Sequence, residues 1–308
     1  MEYLRLKIRP ISSFATEPAS DTLFGQICYT LSLMNEDINT MLADYETDPF
    51  LVVSDLFPLG YALKPVVPLK PADTLNIENL VNRKKDKEKN RILLDGVITS
   101  GRLSEEYISA PVWKIISNDA THVNINRLTG TTSKGAFAPY NLIDYYYSSL
   151  KEDDTFTFDL YLYVKEEYKS AVLKAIELIG KTGYGKKTTI GKGRFIVDDL
   201  LDIETVNIDT ADKNSLFTLG RCCISGFGSK ADAMYYTPNT KFGKHGVITA
   251  DGIPFKSPYV TAEQGMILLN IKDKAVFNKP YIGKAITDIS HRNNTVSQGY
   301  SLYIPFII

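Results

Sequence analysis

At 308 residues the chain exceeds the roughly 250 at which one hydrophobic core usually stops growing, so two domains are expected. A hydrophobic fraction of 44% with 23% charged residues excludes a disordered, collagenous or repeat-array chain. Lys and Arg number 35 against 36 Asp and Glu, and this net charge of -1 excludes a uniformly cationic protein that binds nucleic acid indiscriminately.

Cys28, Cys222 and Cys223 contain no C-x-x-C pair, and adjacent cysteines are poorly placed to bridge each other or to share a zinc ion. A reducing, cytoplasmic location is therefore the default expectation. The first ten residues alternate charged and apolar side chains instead of forming the apolar run of a signal peptide. No stretch approaches about 18 consecutive apolar residues, so no membrane contact is expected.

Over residues 3–9 the alternation is strict. Leu4, Leu6 and Ile8 share one face and Tyr3, Arg5, Lys7 and Arg9 the other, which predicts a strand with a buried apolar face and an open basic one. Ser20 is placed to N-cap a helix whose stripe runs Phe24, Ile27, Cys28, Leu31 and Met34, with Asp21 in its positive first turn. Prolines at 49, 58, 65, 68 and 71 punctuate short apolar pieces that read as edge strands and turns. Residues 83–91 hold six basic and two acidic residues and no apolar one, the composition of a solvated loop. Two short strands within 103–141, separated by polar, glycine-containing turns, read as part of an insertion projecting from the first domain.

Residues 155–164 alternate again, with Phe156, Phe158, Leu160, Leu162 and Val164 inward and Thr155, Thr157, Asp159, Tyr161 and Tyr163 outward. Tyr168, Ala171, Val172, Ala175, Ile176 and Ile179 then trace the stripe of a helix over 166–179, which Gly180 and Gly183 are placed to end. The next strand is expected at 193–197. Strand-helix-strand, repeated later in the chain, is the order of a split βαβ, ferredoxin-like unit. Acids clustered over 198–212 mark a junction, and the domain boundary is placed at about residue 202. Beyond it, 216–224, 265–270 and 301–307 read as strands.

Residues 180–194 contain five of the chain's 20 glycines and five cations, Lys181, Lys186, Lys187, Lys192 and Arg194, with no acid among them. Glycine lets main-chain N–H groups approach a ligand without a Cβ in the way, and successive N–H groups form an anion-binding nest. Thr188 and Thr189 add hydroxyl donors, and phosphate is the ligand this composition fits. A nucleotide triphosphatase loop fails because Lys187 stands where a hydroxyl must ligate magnesium. A dinucleotide fingerprint fails because Thr188 follows Gly183 and Gly185, and because the loop follows a helix instead of opening one. Two readings remain: capture of a polyanion backbone, and a plain helix-to-strand turn with solvated lysines.

Catalytic constellations are thin. His122, His245 and His291 lie in unrelated contexts, no G-x-S-x-G elbow occurs, and Cys28 falls on the apolar face of the first helix. Asp48, Asp55, Asp95 and Asp251 are not spaced as a metal cluster. No catalytic residue, metal or cofactor is expected. Tyr145 to Tyr147, Tyr161, Tyr163, Tyr235 and Tyr236 suit stacking on unpaired bases, and three consecutive tyrosines equally suit a strand with one core ring and two surface rings.

Four separated segments together resemble the RAMP proteins of CRISPR effector complexes, and among them the subunit of type III-A complexes that holds the 5′ end of the guide RNA. Residues 12–25 are similar to a strand-to-helix signature containing S-D-T-L-F-G, which here begins at Ser20. Residues 53–61 follow. Residues 126–132 look like the family's D-R-x-T-G segment with Asn126 in place of Asp, and 183–195 resemble a glycine-rich loop ending G-x-G-R-F. Two departures stand out: Thr188 and Thr189 replace a usual serine pair, and lysines occupy positions where a second glycine is common.

The resemblance implies two ferredoxin-like (βαββαβ) domains, 1–201 and 202–308. The first would carry a thumb-like insertion at about 70–141 and the loop at 180–194. It implies a noncatalytic subunit that recognises the repeat-derived 5′ handle of CRISPR RNA and bridges the large polymerase-like subunit to a backbone RAMP subunit. Gly183, Gly185, Gly191 and Gly193 would give close main-chain approach. Lys186, Lys187, Thr188, Thr189, Lys192 and Arg194 would meet phosphates, with Ser20 in the signature and Arg127, Thr129 and Thr131 near the start of the guide. The alternatives are a metal-independent endoribonuclease of the same superfamily and the equivalent subunit of another type III subtype.

Overall fold

The structure is a computed structural model that describes residues 1–67, 88–132, 134–150, 155–200, 203–227, 230–246, 254–292 and 295–307. Strands β1 (Glu2–Pro10) and β2 (Leu51–Val53) enclose helices α1 (Ser20–Leu33) and α2 (Ile38–Leu42). Short strands β3 (Phe57–Pro58), β4 (Tyr61–Leu63), β5 (Arg91–Leu93) and β6 (Ile108–Ser109), with helix α3 (Leu94–Ser100), lead to the long strands β7 (Trp113–His122) and β8 (Tyr140–Ser149). Then come β9 (Phe158–Val164), α4 (Glu166–Thr182) and β10 (Phe195–Asp198). The remainder is β11 (Glu204–Asn207), β12 (Ser215–Thr218), β13 (Ala231–Tyr235), β14 (Pro238–Lys241), β15 (Tyr259–Ala262), β16 (Ile267–Ile271), β17 (Tyr281–Gly283) and β18 (Tyr300–Phe306).

The first sheet runs β10-β1-β9-β2, all antiparallel, with β11 also pairing β1 and β3 pairing β9. Taken as β1-α1-β2-β9-α4-β10, it has the βαββαβ order with its first and third strands in the centre, as expected for the first unit. The apolar stripes of α1 and α4 close one face: Leu23, Phe24, Ile27, Val172, Ile176 and Ile179 are buried with Leu6, Ile8, Leu160 and Leu162. Burying these side chains supplies the main drive for the unit.

Tyr3 and Arg5 on the polar face of β1, and Asp159 and Tyr161 on that of β9, are buried too, which corrects for these residues the open basic face expected of 3–9 and the outward face expected of 155–164; Lys7 and Arg9 remain partly exposed. Tyr3 donates to the carbonyls of Pro280 and Tyr303, each at 2.9 Å. Arg5 makes a paired contact with Asp159 at 2.9 and 2.7 Å, and Asp159 also accepts the Gly60 N–H at 2.6 Å. A buried charge is tolerated where its partner is also held by hydrogen bonds, and that is the arrangement here.

The layer on this second face is a five-stranded antiparallel sheet, β13-β16-β12-β18-β17. Phe217, Leu302, Ile304 and Phe306 from it join the same apolar cluster as Leu6 and Leu160, so one core crosses residue 202. After Thr182 the described residues contain no α-helix, so the second βαββαβ unit is not found among them. Strand β12 stops at Thr218, short of the expected 224, because the chain turns out of the sheet to reach α1.

That turn forms a buried charged junction. Ser20 was expected to cap α1, yet the N-cap position is Ala19 and Ser20 lies inside the first turn. Its hydroxyl accepts the Arg221 N–H at 2.9 Å, and its own N–H is capped from outside the helix by Asp55 at 2.7 Å. Asp21 meets the Arg221 guanidinium at 3.2 Å and the Lys241 ammonium at 2.9 Å. Two of the four motif segments, 12–25 and 53–61, therefore meet here for a packing reason.

Burial pushes the Asp55 carboxyl up to about 6, against the opposing pull of Arg221 and the Ser20 hydrogen bonds. The folded state thus holds this proton more tightly than the unfolded chain, and its contribution to stability falls as pH rises from about 4 to about 6. Asp55→Asn keeps the acceptor for Ser20 and removes the titration. In urea unfolding at about pH 4 and pH 7.5, the variant is expected to gain on the native protein at the higher pH, by up to about 3 kcal/mol.

Between β3 and β9, where an insertion at about 70–141 was expected, the described residues form the three-stranded sheet β4-β5-β6, helix α3 and the hairpin β7-β8. The hairpin is longer than expected, running past Asn141 to Ser149, and ten residue pairs align from Trp113–Ser149 to His122–Tyr140. Its base is anchored by main-chain bonds between Phe14 and Tyr145, both 2.9 Å, and by the Tyr147 ring against Phe14 and Phe158. Most of the basic tract 83–91, and the expected start of the insertion near 70, lie outside the described residues. No described helix is long and apolar enough to cross a membrane.

Candidate nucleic-acid interface

Helix α4 sets the position of the glycine-rich loop. Glu166 and Glu167 occupy its positive first turn and Lys181 its last, each sign matching the helix dipole. The helix runs on to Thr182, so Gly180 and Lys181 belong to it and not to the loop. A Cβ at Gly180 would stand 2.5 Å from the Phe195 carbonyl oxygen, so glycine there permits close helix-to-strand packing. Lys181 pairs with Glu177 one turn back.

Beyond Gly183, which ends the helix at φ 104°, the chain folds onto residues 12–26. The N–H groups of Gly185 and Lys186 donate to the Gln26 Oε1 and Thr16 Oγ1 atoms, both at 2.9 Å. Gly193 donates to the Ser13 carbonyl and Arg194 to the Ser12 hydroxyl, both at 2.8 Å. Tyr184 donates its N–H to the Gly193 carbonyl and its hydroxyl to the Glu17 carbonyl, both at 2.9 Å. The N–H groups of Ile190, Gly191 and Lys192 turn back onto the carbonyls of Lys187 and Thr188.

This geometry corrects the role expected of the glycines. The N–H groups of Gly183, Gly185, Gly191 and Gly193 are all spent within the protein. A Cβ at Gly193 would stand 2.1 Å from the Tyr184 carbonyl oxygen, and at Gly183 or Gly185 it would meet Lys192 or Thr16 at 2.5 Å. Around Gly191 there is open space, so there only its φ of 83° demands glycine. Gly191→Ala is expected to cost about 1–2 kcal/mol for the left-handed backbone alone, whereas Gly193→Ala must displace backbone and should cost several. Paired thermal melts of the two variants check the order.

The donors left over are the successive N–H groups of Lys187, Thr188 and Thr189, which have no acceptor among the described residues. Lys187 starts this run in the left-handed conformation at φ 63°, and such a sequence of main-chain donors makes an anion-binding concavity. Lys186, Thr189 and Arg194 are exposed, and their side chains have no partner among the described residues. Three of the expected phosphate ligands thus stand free around unspent main-chain donors, with the Thr188 hydroxyl beside them.

Lys192 is different. Its ammonium is held by the Asp144 carboxylate of the hairpin and by the Ser13 hydroxyl at 2.8 Å, so it latches loop to hairpin and does not serve as a phosphate ligand. Burial would raise the Asp144 carboxyl, but hydrogen bonds from Lys192, Ser13 and Asn118 outweigh it and hold the group below its ordinary value.

The far end of the hairpin adds groups that periodicity did not single out. The Lys187 ammonium lies 3.2 Å from the Tyr140 hydroxyl and 4.6 Å from the centre of its ring. The Tyr140 ring in turn stacks on His122, with centroids 5.5 Å apart and 16° between planes. Tyr140 opens β8 just after Ala138 and Pro139, the one local sign of its place. From this pair the segment 123–139 extends outward. Within it Asn126 accepts the Leu128 N–H at 2.9 Å through its side chain and the Gly130 N–H at 2.8 Å through its carbonyl. The Thr129 and Thr131 hydroxyls meet at 3.0 Å, and Leu128 is 97% exposed. Arg127, Thr129 and Thr131 are thus exposed on the tip of a hairpin whose paired end the loop touches.

Ser20 lies apart from this surface, fully buried in the charged junction, and is withdrawn as a binding residue. Of the tyrosine triplet, Tyr147 is the core ring and Tyr146 is exposed, with the Lys192 ammonium 5.8 Å from its ring centre. Burial pushes the Cys28 thiol up to about 12, as fits a packing role.

No protein-family model and no curated protein sequence matches the chain. Among solved structures, the whole chain is similar to a chain of a Csm1-Csm4 cassette in complex with cA4, at 15% identity, TM-score 0.58 and 98% coverage of that chain. A Csm3-Csm4 subcomplex of a type III-A CRISPR-Cas interference complex matches at 14% identity, TM-score 0.57 and full coverage of both chains. A Csm1-Csm4 cassette in complex with pppApA gives 15% identity and TM-score 0.56. The chain has the fold of these subunits from end to end.

Proposed function

We propose that the chain is a noncatalytic subunit of a type III-A antiviral effector complex that holds the repeat-derived 5′ handle of the CRISPR RNA. One observation carries this reading: the unspent N–H groups of residues 187–189 lie among the cations Lys186, Lys187 and Arg194, of which Lys187 reaches the Tyr140 and His122 stack. A phosphate seats on the main-chain donors while the cations neutralise its neighbours, and these contacts set the register of the strand. Tyr140 and the exposed Tyr146 offer faces to unpaired bases, and Arg127, Thr129 and Thr131 extend the track toward the start of the guide.

In this reading residues 1–201 form the RNA-holding unit and 202–308 a second unit. The similar chains come from Csm1-Csm4 and Csm3-Csm4 assemblies, which supports the reading that this chain bridges a large polymerase-like subunit and a backbone RAMP subunit in the cytoplasm. Purification without nuclease, followed by absorbance at 260 nm and sequencing of any bound RNA, tests it. Repeat-derived 5′ ends are the expected result; an RNA-free preparation that also fails to bind handle RNA overturns it.

A second reading, a metal-independent endoribonuclease, draws on His122, which stands at this surface where a general base would be needed. Specific cleavage of labelled repeat RNA that disappears in His122→Ala would establish it in place of the first.

A further inference from the structure

Strand β17 is the last in the order β13-β16-β12-β18-β17, so β18 pairs one of its edges and no described strand pairs the other. A groove of about 480 Å³ runs there, and Tyr281, Ile282, Gly283 and Lys284 all line it. Tyr281 and Ile282 point to opposite faces of β17, and both line the groove together with Gly283, which has no side chain, so the groove follows the strand's edge and meets the main chain; Lys284 follows directly after the strand. An open edge of this kind is a template for adding another strand.

The rim is cationic. Lys230, Lys279 and Lys284 all border the groove, and none forms an ion pair with a described residue. Lys279 donates to the Thr47 carbonyl at 3.3 Å, and Lys230 lies 5.9 Å from the centre of the Phe227 ring. Two acids also line the groove, Glu46 and Asp273, and the Asp273 carboxylate is engaged by the Ala275 N–H at 3.0 Å. The floor is apolar, made by the buried Phe227, Ile282 and Tyr300. The Tyr300 hydroxyl is tied to the Glu46 carbonyl at 2.6 Å, and the ring is only 4% exposed.

From these features we infer that the groove takes an extended, acidic segment of a partner protein, added to the open edge of β17 as a sixth strand. Main-chain pairing supplies affinity, and carboxylates of the segment meet the three lysines. Unpaired RNA fits less well, because the aromatic rings here are buried and present no stacking face, and because two carboxylates share the groove. The inference does not depend on the handle-binding reading.

The test uses the full chain and a fluorescein-labelled decapeptide of alternating Glu and Val. Anisotropy titrations at low salt are expected to show saturable binding that weakens as salt rises. In the triple variant Lys230→Glu, Lys279→Glu, Lys284→Glu binding should fall at least tenfold, while the melting temperature stays that of the native chain and so reports an intact fold. Bound peptide should also slow amide exchange within residues 281–284. Absence of peptide binding, equal binding by the triple variant, or unchanged exchange at these residues overturns the inference. So does a uridine 20-mer that displaces the peptide and crosslinks to this strand, an outcome that assigns the groove to RNA.

Discussion

Reversing charge at Lys186, Lys187 and Arg194 together is expected to weaken handle RNA binding by at least a hundredfold in a filter-binding titration. None of the three forms an ion pair among the described residues, so removing them strands no buried charge; reversal at Lys187 also breaks its contact with Tyr140, and a thermal melt of the variant separates a loosened hairpin from lost RNA contacts. The more informative quantity is the salt dependence. Each phosphate neutralised on a single strand contributes about 0.7 to the slope of log affinity against log salt, so three lost contacts should flatten it by about 2. Lys192→Glu provides the contrast. It breaks the latch to Asp144 and Ser13, so it should lower the melting temperature as well as binding. An unchanged affinity in the triple reversal would remove the loop from the RNA site.

Arg221→Ala should be the most damaging single substitution at the junction of the two layers. The arginine is 6% exposed, and it is held by Asp21 at 3.2 Å and Glu17 at 2.6 Å, with its main chain on the Ser20 hydroxyl. Truncation leaves the Asp21 carboxylate, which has no solvent exposure, with Lys241 as its one cation among the described residues and the Thr22 hydroxyl as its other donor. Breaking a buried ion pair from one side costs about 3–5 kcal/mol. Urea unfolding should therefore show a large fall in midpoint. Arg221→Lys, which keeps the charge but not the forked geometry, should fall between. The Tyr184 hydroxyl of the loop donates to the Glu17 carbonyl, so the junction borders the loop's support, and a fall in handle RNA binding beyond the loss of folded protein would report that link.

Several elements were legible because their signals are local. The alternation of residues 3–9 and 155–164 and the stripe from Tyr168 to Ile179 each identify an element within one stretch of chain. What covers an element is not local. Arg5 and Asp159 each read as a solvent-facing charge, and only the sheet register, which aligns Arg5 with Tyr161 and Lys7 with Asp159, brings the two together in a closed interior. The same limit explains Ser20. A serine at a helix start is a good capping candidate, but the competing acceptor, Asp55, comes from a segment with no sequence link to it.

In the loop, composition pointed to an anion site, and the segment that carries it lies between α4 and β10. It could not say which donors remain, because Gln26, Thr16, Ser13 and Ser12 consume those of the glycines and their neighbours. Lys192 looked like its neighbours until Asp144 was brought beside it. At the hairpin tip, Asn126 in place of Asp keeps the turn because either side chain offers the oxygen that accepts the Leu128 N–H.

The Lys192 latch and the Lys187 contact with Tyr140 tie the loop to the hairpin at two separate heights, Asp144 and the final pair at Tyr140. Two attachments along one rod fix both its distance and its tilt. The hairpin therefore holds a set spacing from the loop to its tip, and under the proposed handle-binding role a strand gripped at one end would arrive at the other with a defined number of nucleotides between. Because that spacing exists before anything binds, little ordering entropy is lost when both ends engage. Lengthening β7 and β8 by one residue pair should then shift the position at which a bound strand is protected from nuclease, with little change in how tightly its first phosphates are held.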